Sequence, residues 1–154
     1  MPVEGGPVPP NMHWAVILIL SWVTGGLAAL IWIFKEAAFV KKIDPGNKAV
    51  VLLLISLVAM LGQLALLFVA FNSGSSSEVA ALSGIMMILN LLFAVVGLIA
   101  VFGMRKSIVR YYNTVEPIGL RLSGIMTFFF SVLYFQYHFS RIFDWKKTGR
   151  LPGA

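Results

Sequence analysis

Hydrophobic residues occur in this chain as long unbroken runs, not in the short alternating or amphipathic patterns of soluble proteins. Three of the runs contain no Lys, Arg, Asp or Glu, and they cover residues 14–34, 49–71 and 79–103. At about 1.5 Å per helical residue, each run is long enough to cross a hydrocarbon layer of about 30 Å. A single segment can satisfy its backbone hydrogen bonds in lipid only as a helix. The pattern therefore predicts an all-α integral membrane protein.

A fourth apolar run, over residues 120–140, is more mixed in character. It contains Ser131, Gln136 and His138 among many aromatic residues, and basic residues follow it. Its length allows a fourth crossing, whereas its aromatic content suits a re-entrant or interfacial segment at the headgroup boundary. We predict a bundle of four transmembrane helices over residues 14–141, with the re-entrant or interfacial arrangement of the fourth segment as the alternative.

Two tails flank the predicted bundle. Residues 1–13 are rich in Pro and Gly, which favours an extended conformation, and residues 142–154 are basic. Over the whole chain 59% of residues are hydrophobic and 12% are charged, about half the charged fraction of a soluble domain. One membrane bundle therefore accounts for the length, and no second folded domain is expected.

Basic residues cluster at one end of the predicted spans. They follow the first and third runs, and none lies between residues 72 and 78. The positive-inside rule then places these ends in the cytoplasm and the N-terminus outside, in the inner (plasma) membrane. The net charge of +6 is explained by anionic lipid rather than by nucleic acid. The residues expected to contact lipid headgroups are Lys35, Lys41, Lys42, Arg105, Lys106 and Arg110.

Polar side chains within the spans are the first candidates for a function. Gln63 and Asn90 each lie near the middle of a span, and a hydrogen bond between them would contribute about 1 kcal/mol to helix association. In the alternative interpretation they line the polar path of a small transporter or channel, together with Gln136. Glu36 follows Lys35 at the membrane boundary, where an interfacial ion pair is expected.

Small residues recur at helical spacing in the first and third runs. Such residues allow two helix backbones to approach closely in a membrane. The predicted packing positions are Gly25, Gly26, Ala94 and Gly97.

The histidine of the fourth run is the one candidate for a cofactor ligand. His138 lies close to Gln136 and Tyr134 in the sequence, and ordinary hydrogen bonding is the expected role of all three. A single neutral imidazole can also serve as the axial ligand of a haem, so the alternative is a haem or chlorophyll-type pigment packed against the aromatic residues. No other cofactor and no metal site are expected.

Catalytic motifs are absent from the sequence. It contains no cysteine, no nucleophile-elbow serine, no phosphate-binding loop and no HExxH pair. We therefore predict that the protein is not an enzyme.

Two short motifs resemble those of known proteins. Thr24, Gly26 and Trp32, followed by Lys35, are similar to the T-x-G-x-x-x-x-x-W stretch of small bacterial membrane proteins classified as domains of unknown function. The segment from Tyr134 to Ile142 is similar to the aromatic-Gln segment near the last helix of the same proteins. The resemblance implies a bacterial inner-membrane protein with four helices, and it implies no activity.

The function most consistent with these features is contact with other proteins. The sequence predicts packing surfaces and aromatic-rich helices, and it lacks reactive groups. We expect an accessory or scaffolding subunit of a larger membrane complex, whose partners are the lipid bilayer and other membrane-protein subunits. The transport path and the pigment site remain the two alternatives.

Overall fold

The computed structural model describes residues 5–72 and 76–149, and these ranges contain helices and no strands. The helices are α1 (Trp14–Val23), α2 (Leu27–Ile43), α3 (Ala49–Asn72), α4 (Ser76–Thr114) and α5 (Gly124–Thr148). The prediction of an all-α fold is confirmed. Two of these helices, α3 and α4, are long and apolar enough to cross a membrane, so a bundle of four crossings is not confirmed.

Helices α3 and α4 form a long antiparallel hairpin. The Ser56 hydroxyl on α3 donates a 2.9 Å hydrogen bond to the carbonyl of Phe93 on α4. A Cβ atom at Gly97 would lie 3.4 Å from Ser56 Oγ, and one at Gly62 would lie 3.5 Å from a methyl of Leu89. Gly97 is therefore a packing position between the two helices, as the small-residue pattern predicts. Ala94 is exposed and takes no comparable position.

The first apolar run, residues 14–34, does not form one helix. The side-chain amide of Gln136 accepts a hydrogen bond from Trp32 Nε1 at 2.9 Å and donates one to the carbonyl of Met12 at 2.7 Å. In one straight helix residues 12 and 32 would lie about 30 Å apart along the axis. Their attachment to one amide shows that α1 folds back against α2, which corrects the prediction of a single span.

A glycine pair makes this reversal. Gly25 and Gly26 have φ of 60° and 96°, a left-handed conformation that glycine adopts without steric cost. The amide of Gly26 donates a 2.7 Å hydrogen bond to the carbonyl of Ser21, which ends α1 in the manner of a Schellman motif. A Cβ at either glycine would meet no atom within 4 Å. The two glycines are therefore turn residues, and the prediction that they pack against another helix is wrong.

Helix α5 is broken at Ser131, which has φ of 22° and ψ of −92°. The Tyr134 hydroxyl accepts a 2.9 Å hydrogen bond from the amide of Ser123, just before the helix begins. In an unbroken helix residues 123 and 134 are about 16 Å apart along the axis, beyond the reach of a tyrosine. The chain thus turns back at Ser131, and the segment 120–140 is not one straight helix.

Most of the buried residues lie at one end of the α3–α4 hairpin. We call this end the cap; it comprises residues 5–59 and 96–149. Phe39 of α2 and Phe139 of α5 pack edge to face with their ring centres 5.2 Å apart. The fully buried side chains of this core include Val40, Met104, Tyr112, Phe135 and Phe139. The remainder of α3 and α4, residues 60–72 and 79–95, has no buried residue, and we call it the distal hairpin.

The N-terminal tail lies in the cap, at the same end of the molecule as the basic residues. Lys146 Nζ donates hydrogen bonds to the carbonyls of Gly5 and Pro7, at 2.9 and 3.2 Å, and to Glu116 at 2.9 Å. Glu116 follows the end of α4, and the C-terminal part of the same helix carries Arg110, which pairs with Asp44. This placement disagrees with the prediction that the tail and the basic loops lie on opposite sides. The prediction assumed that the first apolar run crosses in one pass.

Candidate functional site

Gln136 is the centre of a buried polar network in the cap. Its side chain is fully buried. Besides its bonds to Trp32 and Met12, its amide nitrogen donates to the carbonyl of Pro10 and to the hydroxyl of Ser140, each at 3.2 Å. One side chain thus joins α2, α5 and the N-terminal tail. These bonds occupy the amide, so Gln136 has a positioning role and does not line an open polar path.

A buried ion pair also holds the N-terminal tail in the cap. Lys146 and Glu116 are 2.9 Å apart, and their side chains are 6% and 10% exposed. The Tyr111 hydroxyl donates a further 3.0 Å hydrogen bond to the same oxygen of Glu116. Because the ammonium also bonds two tail carbonyls, its three donor positions are satisfied, which a buried charge requires. Their pairing was not predicted from the sequence, where they are 30 positions apart.

A second polar cluster fastens the turn between α2 and α3 to α4. Asp44 accepts hydrogen bonds from Arg110 at 2.7 Å and from the Ser107 hydroxyl at 2.6 Å. Asn47 donates to Ser107 at 2.8 Å, and its side-chain oxygen accepts from the amide of Ala49 at 2.7 Å, which caps α3. This arrangement fixes the α2–α3 turn to α4.

The six cations predicted to contact lipid divide into two groups. The four lysines are exposed at the basic end, namely Lys35, Lys41, Lys42 and Lys106. The other two support the cap: Arg105 donates two hydrogen bonds, at 2.9 and 2.5 Å, to the carbonyl of Leu122, and Arg110 binds Asp44. The four lysines are therefore available to headgroups without a change in the cap, and so is Arg110, whose side chain is 60% exposed.

Gln63 and Asn90 lie at similar depth but are not bonded to each other. In the part of the chain that the structure describes, no hydrogen bond joins the two amides or satisfies either one. Gly62 and Leu89 face each other across the hairpin. Because the two helices are antiparallel and both wind right-handed, the next residue of each turns towards the same flank. Gln63 and Asn90 therefore lie on one flank of the distal hairpin, where Asn90 is exposed.

His138 lines a small cleft between α5 and the loop that precedes it. Its ring packs edge to face against Tyr134 and Tyr137, with ring centres 4.7 and 5.3 Å away. The cleft encloses about 130 Å³, whereas pockets for drug-sized ligands and cofactors have about 300–1,000 Å³. The predicted trio is only partly assembled here, since Gln136 points into the buried network and not into the cleft. The cleft is lined by Ile118, Gly119, Leu120, Arg121, His138, Arg141 and Ile142.

Glu36 is the residue whose environment differs most from the sequence prediction. It is fully buried on α2, and neither carboxyl oxygen has a hydrogen-bond partner among the described residues. Burial raises the pKa of this carboxyl well above its ordinary value of 4.5. The predicted interfacial ion pair with Lys35 is wrong, because Lys35 is exposed and lies over the Trp32 ring at 4.7 Å.

Within the described ranges no group of three or more His, Cys, Asp or Glu side chains could hold a metal ion. The polar residues of the cap mainly connect elements of the fold, and the unsatisfied amides lie on the distal hairpin. Comparison with protein-family models, with curated proteins and with solved structures finds no match for this chain.

Proposed function

We propose that the chain crosses a membrane twice, through α3 and α4, and that the cap lies in and beside one leaflet. Helix α1 has 10 residues and a length of about 15 Å, half the thickness of the hydrocarbon layer. The tips of the α1–α2 and α5 turns are apolar and exposed, as Trp22 (87% exposed) and Phe129 (70%) illustrate. Tips of this kind suit acyl chains. This topology replaces the four crossings expected from hydropathy, and a bacterial inner membrane remains our proposed location.

We further propose that the protein is a non-catalytic accessory or scaffolding subunit, and that its distal hairpin binds a helix of another membrane protein. The observation that carries this proposal is the pair of unsatisfied amides, Gln63 and Asn90, on one flank of that hairpin. An amide without a partner is costly in hydrocarbon, and interhelical hydrogen bonds contribute about 0.6–2 kcal/mol. A partner helix with a polar side chain at this depth would satisfy both amides.

The two alternative functions have less support. A transport path through Gln136 conflicts with the hydrogen bonds that occupy its amide. A haem or chlorophyll-type pigment needs more room than the cleft of about 130 Å³ beside His138. Neither observation bears on the distal hairpin, so contact there remains the best-supported function.

Site-specific photocrosslinking in intact membranes tests the proposed contact. Met87 and Ile88 are 75% and 67% exposed, but consecutive helix positions lie about 100° apart. Met87 lies on the Asn90 flank and Ile88 on the opposite one. A crosslinking residue at position 87 is expected to capture one discrete protein species, and the matched residue at position 88 is expected to capture lipid.

If the proposal is correct, the crosslink from position 87 depends on the two amides. The double substitution Gln63→Leu and Asn90→Leu is expected to abolish the crosslink from position 87 while the protein still folds. Crosslinking to lipid alone from both positions would contradict the proposal. A product with twice the mass of the chain would identify a second copy as the occupant and would overturn the assignment to a different subunit.

A further inference from the structure

We infer that the cleft between Arg121, His138 and Arg141 is a binding site for a phosphate group. Three nitrogen-bearing side chains line one small cavity of about 130 Å³, and its other lining residues are apolar side chains and Gly119. No carboxylate is among the described residues that line it. Guanidinium groups bind phosphate through paired, charge-assisted hydrogen bonds, and a neutral imidazole adds one further donor.

The local fold holds these donors in place. The Tyr134 hydroxyl bonds the amide of Ser123, which fixes the end of the loop against α5. His138 packs between the edges of two tyrosine rings, and Arg141 lies over one of them, with its guanidinium carbon 5.9 Å from the centre of the Tyr137 ring. The carbonyl of Leu122, next to Arg121, is held by Arg105. These contacts fix His138, Arg141 and the backbone beside Arg121 before any ligand binds, which lowers the cost of binding.

The position of the cleft indicates where its ligand comes from. The loop that forms the cleft is bonded to Arg105 of α4. Arg105 lies five residues before Arg110, which pairs with Asp44 in the α2–α3 turn at the basic end of the molecule. If α3 and α4 cross the membrane, this end lies level with the lipid headgroups. The shared chemistry is a phosphate group, supplied either by an anionic phospholipid or by free phosphate. The site does not depend on the proposed partner of the distal hairpin.

Lipid retention in a maltoside detergent, which carries no phosphate, tests this inference. Native mass spectrometry would count adducts of phosphatidylglycerol and of diacylglycerol, which has the same tails and no phosphate. We expect the wild-type protein to retain phosphatidylglycerol and not diacylglycerol. Arg121 is exposed, so Arg121→Gln leaves the core intact and is expected to lower retention about tenfold. Arg121→Lys, which keeps the charge and loses the planar fork, is expected to give a smaller loss.

Lys48→Gln is the matched control, since it removes one charge from another exposed residue at the same end. Retention is expected to change by less than about twofold. Binding of inorganic phosphate without lipid, reduced by Arg121→Gln, would identify free phosphate as the source, and a lipid adduct alone would identify the headgroup. Equal losses in Lys48→Gln and Arg121→Gln, or equal retention of diacylglycerol, would overturn the inference.

Discussion

Trp32 and Gln136 lie 104 positions apart in the chain and are joined by a buried hydrogen bond of 2.9 Å between the indole Nε1 and the amide Oε1. The same amide bonds the carbonyl of Met12, so the bond also fixes the N-terminal tail. This relationship explains why the first apolar run folds back: Met12, just before the run, and Trp32, near its end, are attached to one residue of α5. The topology of the cap therefore depends on polar contacts as well as on apolar packing.

Gln136→Leu is expected to destabilise the protein by about 2–4 kcal/mol, because it leaves the Trp32 indole and several tail groups without partners in a buried site. It should also release the N-terminal tail and increase its cleavage by added protease. Thermal unfolding in detergent and limited proteolysis measure the two effects. Gln63→Leu is the control, because Gln63 makes no hydrogen bond with any described residue. Equal effects of the two substitutions would contradict the role given to Gln136.

The Lys146–Glu116 ion pair is expected to show strong coupling. Lys146→Met or Glu116→Gln alone is expected to cost about 3–5 kcal/mol, because each leaves a buried group without its partner. The double variant is expected to cost much less than the sum of the single variants. A double-mutant cycle from denaturant unfolding measures this coupling, and additive costs would show that the two side chains do not interact.

Glu36 is expected to make stability depend on pH. Burial raises the pKa of this carboxyl above 4.5 in the folded protein, so the folded state binds the proton more tightly than the unfolded state does. Its contribution is greatest below pH 4.5, where the carboxyl is protonated in both states, and stability falls as the pH rises above that value. Glu36→Gln is expected to remove this decline, as melting temperatures between pH 5 and 8 would show. Parallel curves for the two proteins would refute the burial of a protonated carboxyl.

Gly26→Ala is expected to destabilise the α1–α2 turn by about 1–2 kcal/mol, because alanine pays a steric cost at a φ of 96°. Gly84 on α4 offers the control, since it is helical and has open space around its Cβ position. Gly84→Ala should be neutral or stabilising by up to about 1 kcal/mol. Thermal unfolding compares the two. A stabilising Gly26→Ala would indicate that the first apolar run is a continuous helix after all.

The sequence predicted the long hairpin well and the cap poorly, for a physical reason. Residues 49–71 and 79–103 lie inside α3 and α4, because an unbroken apolar run of that length has few alternatives to a helix. In the first run hydropathy is equally high, but Gly25 and Gly26 permit either close packing or a reversal. Local sequence does not distinguish these outcomes. The deciding contact comes from Gln136, more than a hundred residues away.

The candidate sites were also predicted only in part. His138 and Asn90 were singled out from the sequence because polar side chains in apolar runs are conspicuous. The residues that lie beside them, such as Arg121 beside His138, were not predicted, because these residues come together only when the chain is folded. The charge of Lys146 likewise suggested an exposed tail, whereas it is buried by contacts with residues at the opposite end of the sequence.

In the proposed topology the chain crosses the membrane twice, and its N-terminal tail lies on the same side as the α2–α3 turn. The chain has no cysteine, so single cysteines can be introduced by Asn11→Cys, Lys48→Cys and Ser73→Cys and labelled with a membrane-impermeant maleimide on sealed vesicles. With this topology, positions 11 and 48 are expected to be labelled from one side of the membrane. Position 73, in the connection between α3 and α4, is expected to be labelled from the other. Labelling of positions 11 and 73 from the same side, with position 48 opposite, would contradict it.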